Sequence, residues 1–190
     1  VGGSALKSQF ASGAFELSLQ KTSVGDIRGA MASLELALRY AGDPSDSVTI
    51  QNSIAVSYYF LDVLDSALFY VEKSISQNNG ENSGLLNNKG LILEALRRPE
   101  DALASYNLGI AADSNDFLVW LNRGIFFDKK GLDSSALSDY DVAVKLNPTE
   151  PQIWNNKGVM SSALGKHEEA IADFETAIRL DSTYELAWFN

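Results

Sequence analysis

Apolar and small residues along the second half of the chain recur at steps of three and four, as in Trp154, Gly158 and Ser161, then Ala170, Phe174 and Ala177. That spacing predicts amphipathic helices in pairs. Each pair is broken by a polar turn: RRPEDA around Pro99, KKGLDSS after Lys129 and ALGKHEE around Gly165. Proline suits the first turn of a helix, because its missing N–H has no partner to lose there. The second helix of each pair is expected to stop near ADSND, LNPTE at Pro148, or LDSTY.

The helix pairs repeat. Trp120, Trp154 and Trp188 are 34 residues apart, as are Gly90, Gly124 and Gly158, and Ala102, Ala136 and Ala170; Tyr106, Tyr140 and Phe174 keep the same step. A helix–turn–helix of this length and marking resembles the tetratricopeptide repeat, whose signature is W-x2-L-G-x2-Y, A-x3-F, P. Trp120, Gly124, Phe127, Ala136, Tyr140 and Pro148 carry the match in one unit. Trp154, Gly158, Ala170 and Phe174 carry it in the next, with Ser182 where proline is usual. The unit from Ser83 keeps Gly90, Ala102 and Tyr106, and one further upstream fits with Ala55 and Ala67 at the small-residue places.

The resemblance implies an all-α, right-handed α-solenoid forming a single domain over residues 1–190. Its repeats lie at about 48–82, 83–116, 117–150 and 151–184, with a divergent N-terminal repeat at about 5–44 and the start of another at 185–190. Glycine is expected where the two helices cross, facing the alanine of the second helix, with the large aromatic residues packed above and below.

Composition narrows the function. The formal charge is −10, with 25 acidic against 15 basic residues, which disfavours nucleic acid as a partner because phosphate binding needs basic clusters. No apolar run reaches transmembrane length. With no cysteine, disulfides and thiolate metal sites are excluded. The expectation is a soluble protein, with the cytoplasm slightly favoured over an extracytoplasmic compartment.

Candidate binding residues are those the core does not need. Asn88, Asn122, Asn156 and Asn190 lie two residues before the glycine place, every 34 residues. The series resembles the asparagine ladder in the tetratricopeptide superhelices of O-GlcNAc transferase and kinesin light chains. The resemblance implies that it faces a concave groove and holds the backbone of an extended peptide. A primary amide offers donor and acceptor together, at about 0.5–1.5 kcal/mol net per rung. Asparagine is also the ordinary residue at this place, so a solvated default is the competing reading. Leu91, Ile125 and Val159 follow the glycine and form an apolar stripe, either groove-facing or packed on neighbouring repeats. Asn87, Asn155 and Lys129 complete the peptide-binding set. A two-carboxylate clamp, as in co-chaperone repeats, does not fit an apolar stripe. Lys89, Arg123 and Lys157 stand where leucine is usual, and their heads are expected to meet nearby acidic side chains while their stems cover apolar surface.

An enzyme is not expected. His167 is the single histidine and sits in a turn, so no triad can be assembled; metal-ligand spacing and phosphate-cradling loops are absent, and no cofactor is implied. The acidic pairs Glu100–Asp101 and Glu168–Glu169 open helices, where negative charge suits the dipole. The reading is a non-catalytic interaction scaffold with a protein or peptide partner. The alternative is a homo-oligomer joined through terminal repeats, since ELAWFN places Leu186, Trp188 and Phe189 where they need cover, from another copy or from a chain that continues past Asn190.

Overall fold

The computed structural model describes residues 2–190, with side chains from residue 6 onward. Among them are eleven helices: α1 (Gly2–Ser23), α2 (Ile27–Tyr40), α3 (Pro44–Phe60), α4 (Leu64–Gln77), α5 (Ser83–Ala95), α6 (Pro99–Ala112), α7 (Phe117–Lys129), α8 (Asp133–Leu146), α9 (Pro151–Ala163), α10 (His167–Leu180) and α11 (Glu185–Phe189). The chain divides into two compact units, Val1–Ser105 and Tyr106–Asn190, with the division inside α6.

Helix starts follow local chemistry. Asp26, Asp43, Asn82 and Asp116 each accept a hydrogen bond from a backbone N–H of the first turn, and Pro44 and Pro151 open α3 and α9. The turn inside each pair needs one residue in the left-handed region. Gly25, Gly131 and Gly165 supply it at φ of 79°, 68° and 76°, but Asp62 and Arg97 occupy the same turn position at φ 58°. Those two carry a steric cost that glycine avoids.

In the first unit, α1 packs on α2 and α3 on α4, and α2 and α4 each lie against the next first helix. Ala14, Leu34, Ala37, Ile50 and Ile54 form one apolar cluster; Ala55, Ala67, Val71 and Ile92 form another. In the second unit, α7 pairs with α8 and α9 with α10, while α8 also packs on α9. Leu121, Ala136, Tyr140, Ala143, Ile153 and Met160 make its core, flanked by Trp120, Phe127 and Val159.

The glycines of the first helices lie against rings of the second. A Cβ on Gly124 would lie 2.6 Å from the Tyr140 ring, and one on Gly158 would lie 2.6 Å from the Phe174 ring. Glycine therefore makes room for an aromatic ring of the second helix. The tryptophans close the junctions between repeats: the indole N–H of Trp120 donates to the Ser114 carbonyl at 2.9 Å, that of Trp154 to Pro148 at 2.8 Å and that of Trp188 to Ser182 at 3.1 Å. Each bond pins the start of a repeat to its own first helix.

Candidate functional site

The residues before the glycines divide by depth. Asn88, Asn122 and Asn156 are half-buried and Asn190 is exposed, whereas Asn87 and Asn155 are only 6% and 4% exposed. A turn of 100° per residue accounts for the split, because the earlier asparagine points between neighbouring first helices. The buried members act within the stack. Asn190 donates its Nδ2 to Asn155 Oδ1 at 2.9 Å, and Asn88 donates its Nδ2 to Asn52 Oδ1 at 2.9 Å.

An amide three residues before the small position thus accepts from an amide two residues before it in the next repeat. Asn52 was not among the sequence candidates. It lies three residues before Ala55, as Asn87 lies before Gly90 and Asn155 before Gly158, so its place in the register was readable. In the second unit Leu121 breaks the pattern, and Asn156 is left beside Asn155, whose Nδ2 approaches its Oδ1 at 3.5 Å.

Beside the asparagines the apolar stripe is half-buried at Leu91, Ile125 and Val159, while Lys129 is exposed. In the first unit Val56, Tyr59, Phe60, Asn88, Leu91 and Ile92 line a hollow of about 150 Å³ between α3 and α5. Val159 and Ile125 instead border the core of the second unit, where they pack against its buried cluster. The stripe therefore has different surroundings in the two units.

The cations before each glycine meet carboxylates. Arg123 makes two hydrogen bonds to Asp139, Nε and Nη2 each at 2.8 Å, donates from Nη1 to Asn107 at 2.7 Å, and stacks over Trp120 and Phe127. Lys157 reaches both Asp173 oxygens at 3.0 and 3.1 Å and lies over Trp154. Lys89 pairs with Glu72 at 2.8 Å. Asp139 and Asp173 are nearly buried, so these are internal ion pairs rather than a basic stripe. Burial still pushes the Asp173 carboxyl above the ordinary aspartate range, against the opposing effect of Lys157.

One polar group in the second unit lacks a bonded partner. The Tyr140 side chain is 0% exposed and its hydroxyl makes no hydrogen bond of acceptable geometry. Burial pushes this phenol well above its usual range, Asp128 and Asp139 add to the shift, and the Asn156 side chain opposes it. Asp128 is half-buried one turn after Gly124, and burial raises its carboxyl too, with Asp133 adding and Lys129 opposing.

A helix–turn–helix unit repeated in register, with its glycine and alanine markers buried and amides at equivalent places on its first helices, defines an all-α helical-repeat protein. Residues 151–184 match a family model described as tetratricopeptide repeat, and residues 87–151 match a second with the same description. The chain belongs to the tetratricopeptide repeat family, whose general role is that of a protein-interaction scaffold. No curated protein matches the chain.

Solved structures with the same fold include TTC0263, a thermophilic tetratricopeptide protein of Thermus thermophilus, with TM-score 0.77 at 18% identity over 94% of this chain and 95% of that one. YrrB, described as a tetratricopeptide protein with an unusual peptide-binding site, gives a TM-score of 0.63 at 22% identity over 93% and 89%. MamA of Desulfovibrio magneticus RS-1 gives 0.68 at 18% over 93% and 97%. Among the described residues no helix is long and apolar enough to cross a membrane.

Proposed function

We propose that the chain is a non-catalytic scaffold whose first helices hold an extended peptide segment of a partner protein. The hollow lined by Val56, Tyr59, Phe60, Leu91 and Ile92, with Asn88 on its rim, is the observation that carries this reading. It supplies an apolar receptacle for one side chain beside an amide able to hold the backbone on either side of it. Asn88 gives one N–H to Asn52 and keeps its second N–H and its oxygen for a ligand. Asn122 and Asn156 take the equivalent places on the first helices of the second unit, with Ile125 and Val159 beside them. YrrB, with the same fold, is named for a peptide-binding site, which supports the assignment without identifying the peptide.

The test is selection of a displayed library of random extended peptides on the purified chain, followed by measured affinities. Asn122→Ala with Asn156→Ala should weaken a selected peptide by about 1–3 kcal/mol while leaving the helical circular dichroism unchanged. Unchanged affinity would remove the amides from the site.

A second reading is self-association. Leu6, Phe10 and Leu17 are exposed along one stripe of α1, and Leu186, Trp188 and Phe189 are exposed on α11. Stripes of this kind are covered when copies pack end to end. A mass that rises with concentration, and returns to that of one chain in Phe10→Ser, would support it; a single-chain mass at all concentrations would exclude it.

A further inference from the structure

The peptide reading makes Asn88 a ligand contact but leaves its neighbour Asn52 without a role. Asn88 of α5 donates its Nδ2 to Asn52 Oδ1 of α3 at 2.9 Å. Asn88 lines the hollow with Val56, Tyr59, Phe60, Leu91 and Ile92, whereas Asn52 is not part of the lining. Asn52 lies one turn before Val56 on α3, so it can reach the site through the Asn88 amide.

The pairing recurs in the second unit. Asn190 makes the same bond to Asn155, again Nδ2 to Oδ1 and again at 2.9 Å, between the same two register positions. Asn155 is only 4% exposed, so the acceptor of such a pair works inside the stack rather than on the surface. The acceptor place before Asn156 is taken by Leu121, whose side chain has no polar atom.

The bond has a consequence for recognition. A primary amide has two donor hydrogens and an acceptor oxygen, so Asn88 keeps one donor and its acceptor after giving one hydrogen to Asn52. The bond also fixes the plane in which those two groups lie. One donor and one acceptor are what the backbone of a single peptide residue offers in return. Ordering a side chain during binding costs affinity, and an amide already held in the free protein avoids that cost.

Building on the peptide reading above, we propose that Asn52 is a positioning residue, which holds the Asn88 amide so that it pairs with both the N–H and the C=O of one ligand residue beside the hollow. The class of ligand follows from this pairing. It is an extended segment with an apolar side chain for the hollow and, at one fixed place beside that anchor, a residue whose backbone N–H is required and whose side chain is free to vary. Proline is excluded at that place, because it has no N–H.

The experiment starts from peptides selected on the purified chain. They should share an apolar anchor and lack proline at one fixed place beside it. Each peptide bond near the anchor is then replaced in turn by an ester, which removes one N–H and keeps the extended shape. On wild type one ester should weaken binding by about two- to tenfold, the loss of one net hydrogen bond. On Asn88→Ala the same ester should cost nothing, and on Asn52→Ala its cost should fall, although Asn52 touches no ligand.

Asn52→Asp keeps an acceptor oxygen for Asn88 and should bring the ester cost back. A role in folding alone would weaken amide and ester peptides equally and leave their ratio unchanged. Because the ester scan uses unaltered protein, it remains decisive even if a variant folds poorly. Peptides that bind with no ester-sensitive place beside the anchor, or with the same ester cost on Asn52→Ala as on wild type, overturn the positioning role and leave the peptide groove standing. A library that yields no binder overturns both.

Discussion

Gly124 and Gly13 are both helical glycines, yet substitution should act on them in opposite directions. Alanine at Gly13 meets nothing within 4 Å and gains helix propensity, so Gly13→Ala should stabilise by up to about 1 kcal/mol. Alanine at Gly124 gains the same propensity but drives a Cβ into the fully buried Tyr140 ring. Overpacking costs about 1–3 kcal/mol, so the net result is destabilisation, read as a lower urea midpoint.

Arg97 offers the converse repair. It holds φ 58° where Gly131 and Gly165 serve the later repeats, and relief of the left-handed strain is worth about 1–2 kcal/mol. Glycine returns part of this as unfolded-state entropy, leaving about 0.5–1 kcal/mol of stabilisation for Arg97→Gly in chemical denaturation. A loss of stability there would mean that the Arg97 side chain does more than its exposed position suggests.

At the level of elements, neighbouring helices are joined by polar as well as apolar contacts. Arg123 binds Asp139 across the α7–α8 pair and Asn107 of α6, so one side chain ties three helices. Arg123→Ala would strand a carboxylate that is 3% exposed, and loss of one partner of a buried pair costs about 3–5 kcal/mol. Removing both charges, in Arg123→Met with Asp139→Leu, should recover most of that in thermal or urea unfolding.

The Asn52–Asn88 bond joins α3 to α5 and calls for a double-mutant cycle. Coupling of about 0.5–1.5 kcal/mol is expected between Asn52→Ala and Asn88→Ala in stability. Coupling near zero would mean that the two amides prefer water, and Asn88 would then be wholly available to a ligand. At the element scale the spacing located the glycines, and the packing shows which ring a side chain there would meet. Alanine and aromatic lie four residues apart on the same helical face, and the Tyr140 and Phe174 rings are what a Cβ on Gly124 or Gly158 would strike first.

For the whole molecule, the relevant quantity is a net charge of −10 on 190 residues. Like charges repel more in the folded state than in the expanded chain, so added salt should raise the melting temperature modestly from a low-salt baseline. A fall would show that exposed pairs such as Arg98–Asp101 outweigh the repulsion, although pairs of that kind contribute little. The acid side has a definite sign as well. Because burial raises the Asp173 carboxyl, the native state holds that proton more tightly than the unfolded chain. Its contribution to stability therefore decreases as pH rises from the ordinary aspartate value of 3.8 through the raised native value, and is level above it. Asp173→Asn should lack this slope in a stability–pH profile.

The sequence by itself determined the class of fold and the register of the repeats, because helical periodicity and the 34-residue step are properties of residue order. It also placed the amides on the first helices and foretold that the cations before the glycines would find carboxylates. Tertiary structure alone decided which amide of each pair is buried, that Asn52 is the acceptor for Asn88, and that the Tyr140 hydroxyl is buried without a hydrogen bond of acceptable geometry. The physical reason is common to all three. Burial and pairing depend on what the neighbouring helix brings within about 3 Å, and side chains 35 or 36 residues apart meet only through the way the helices stack.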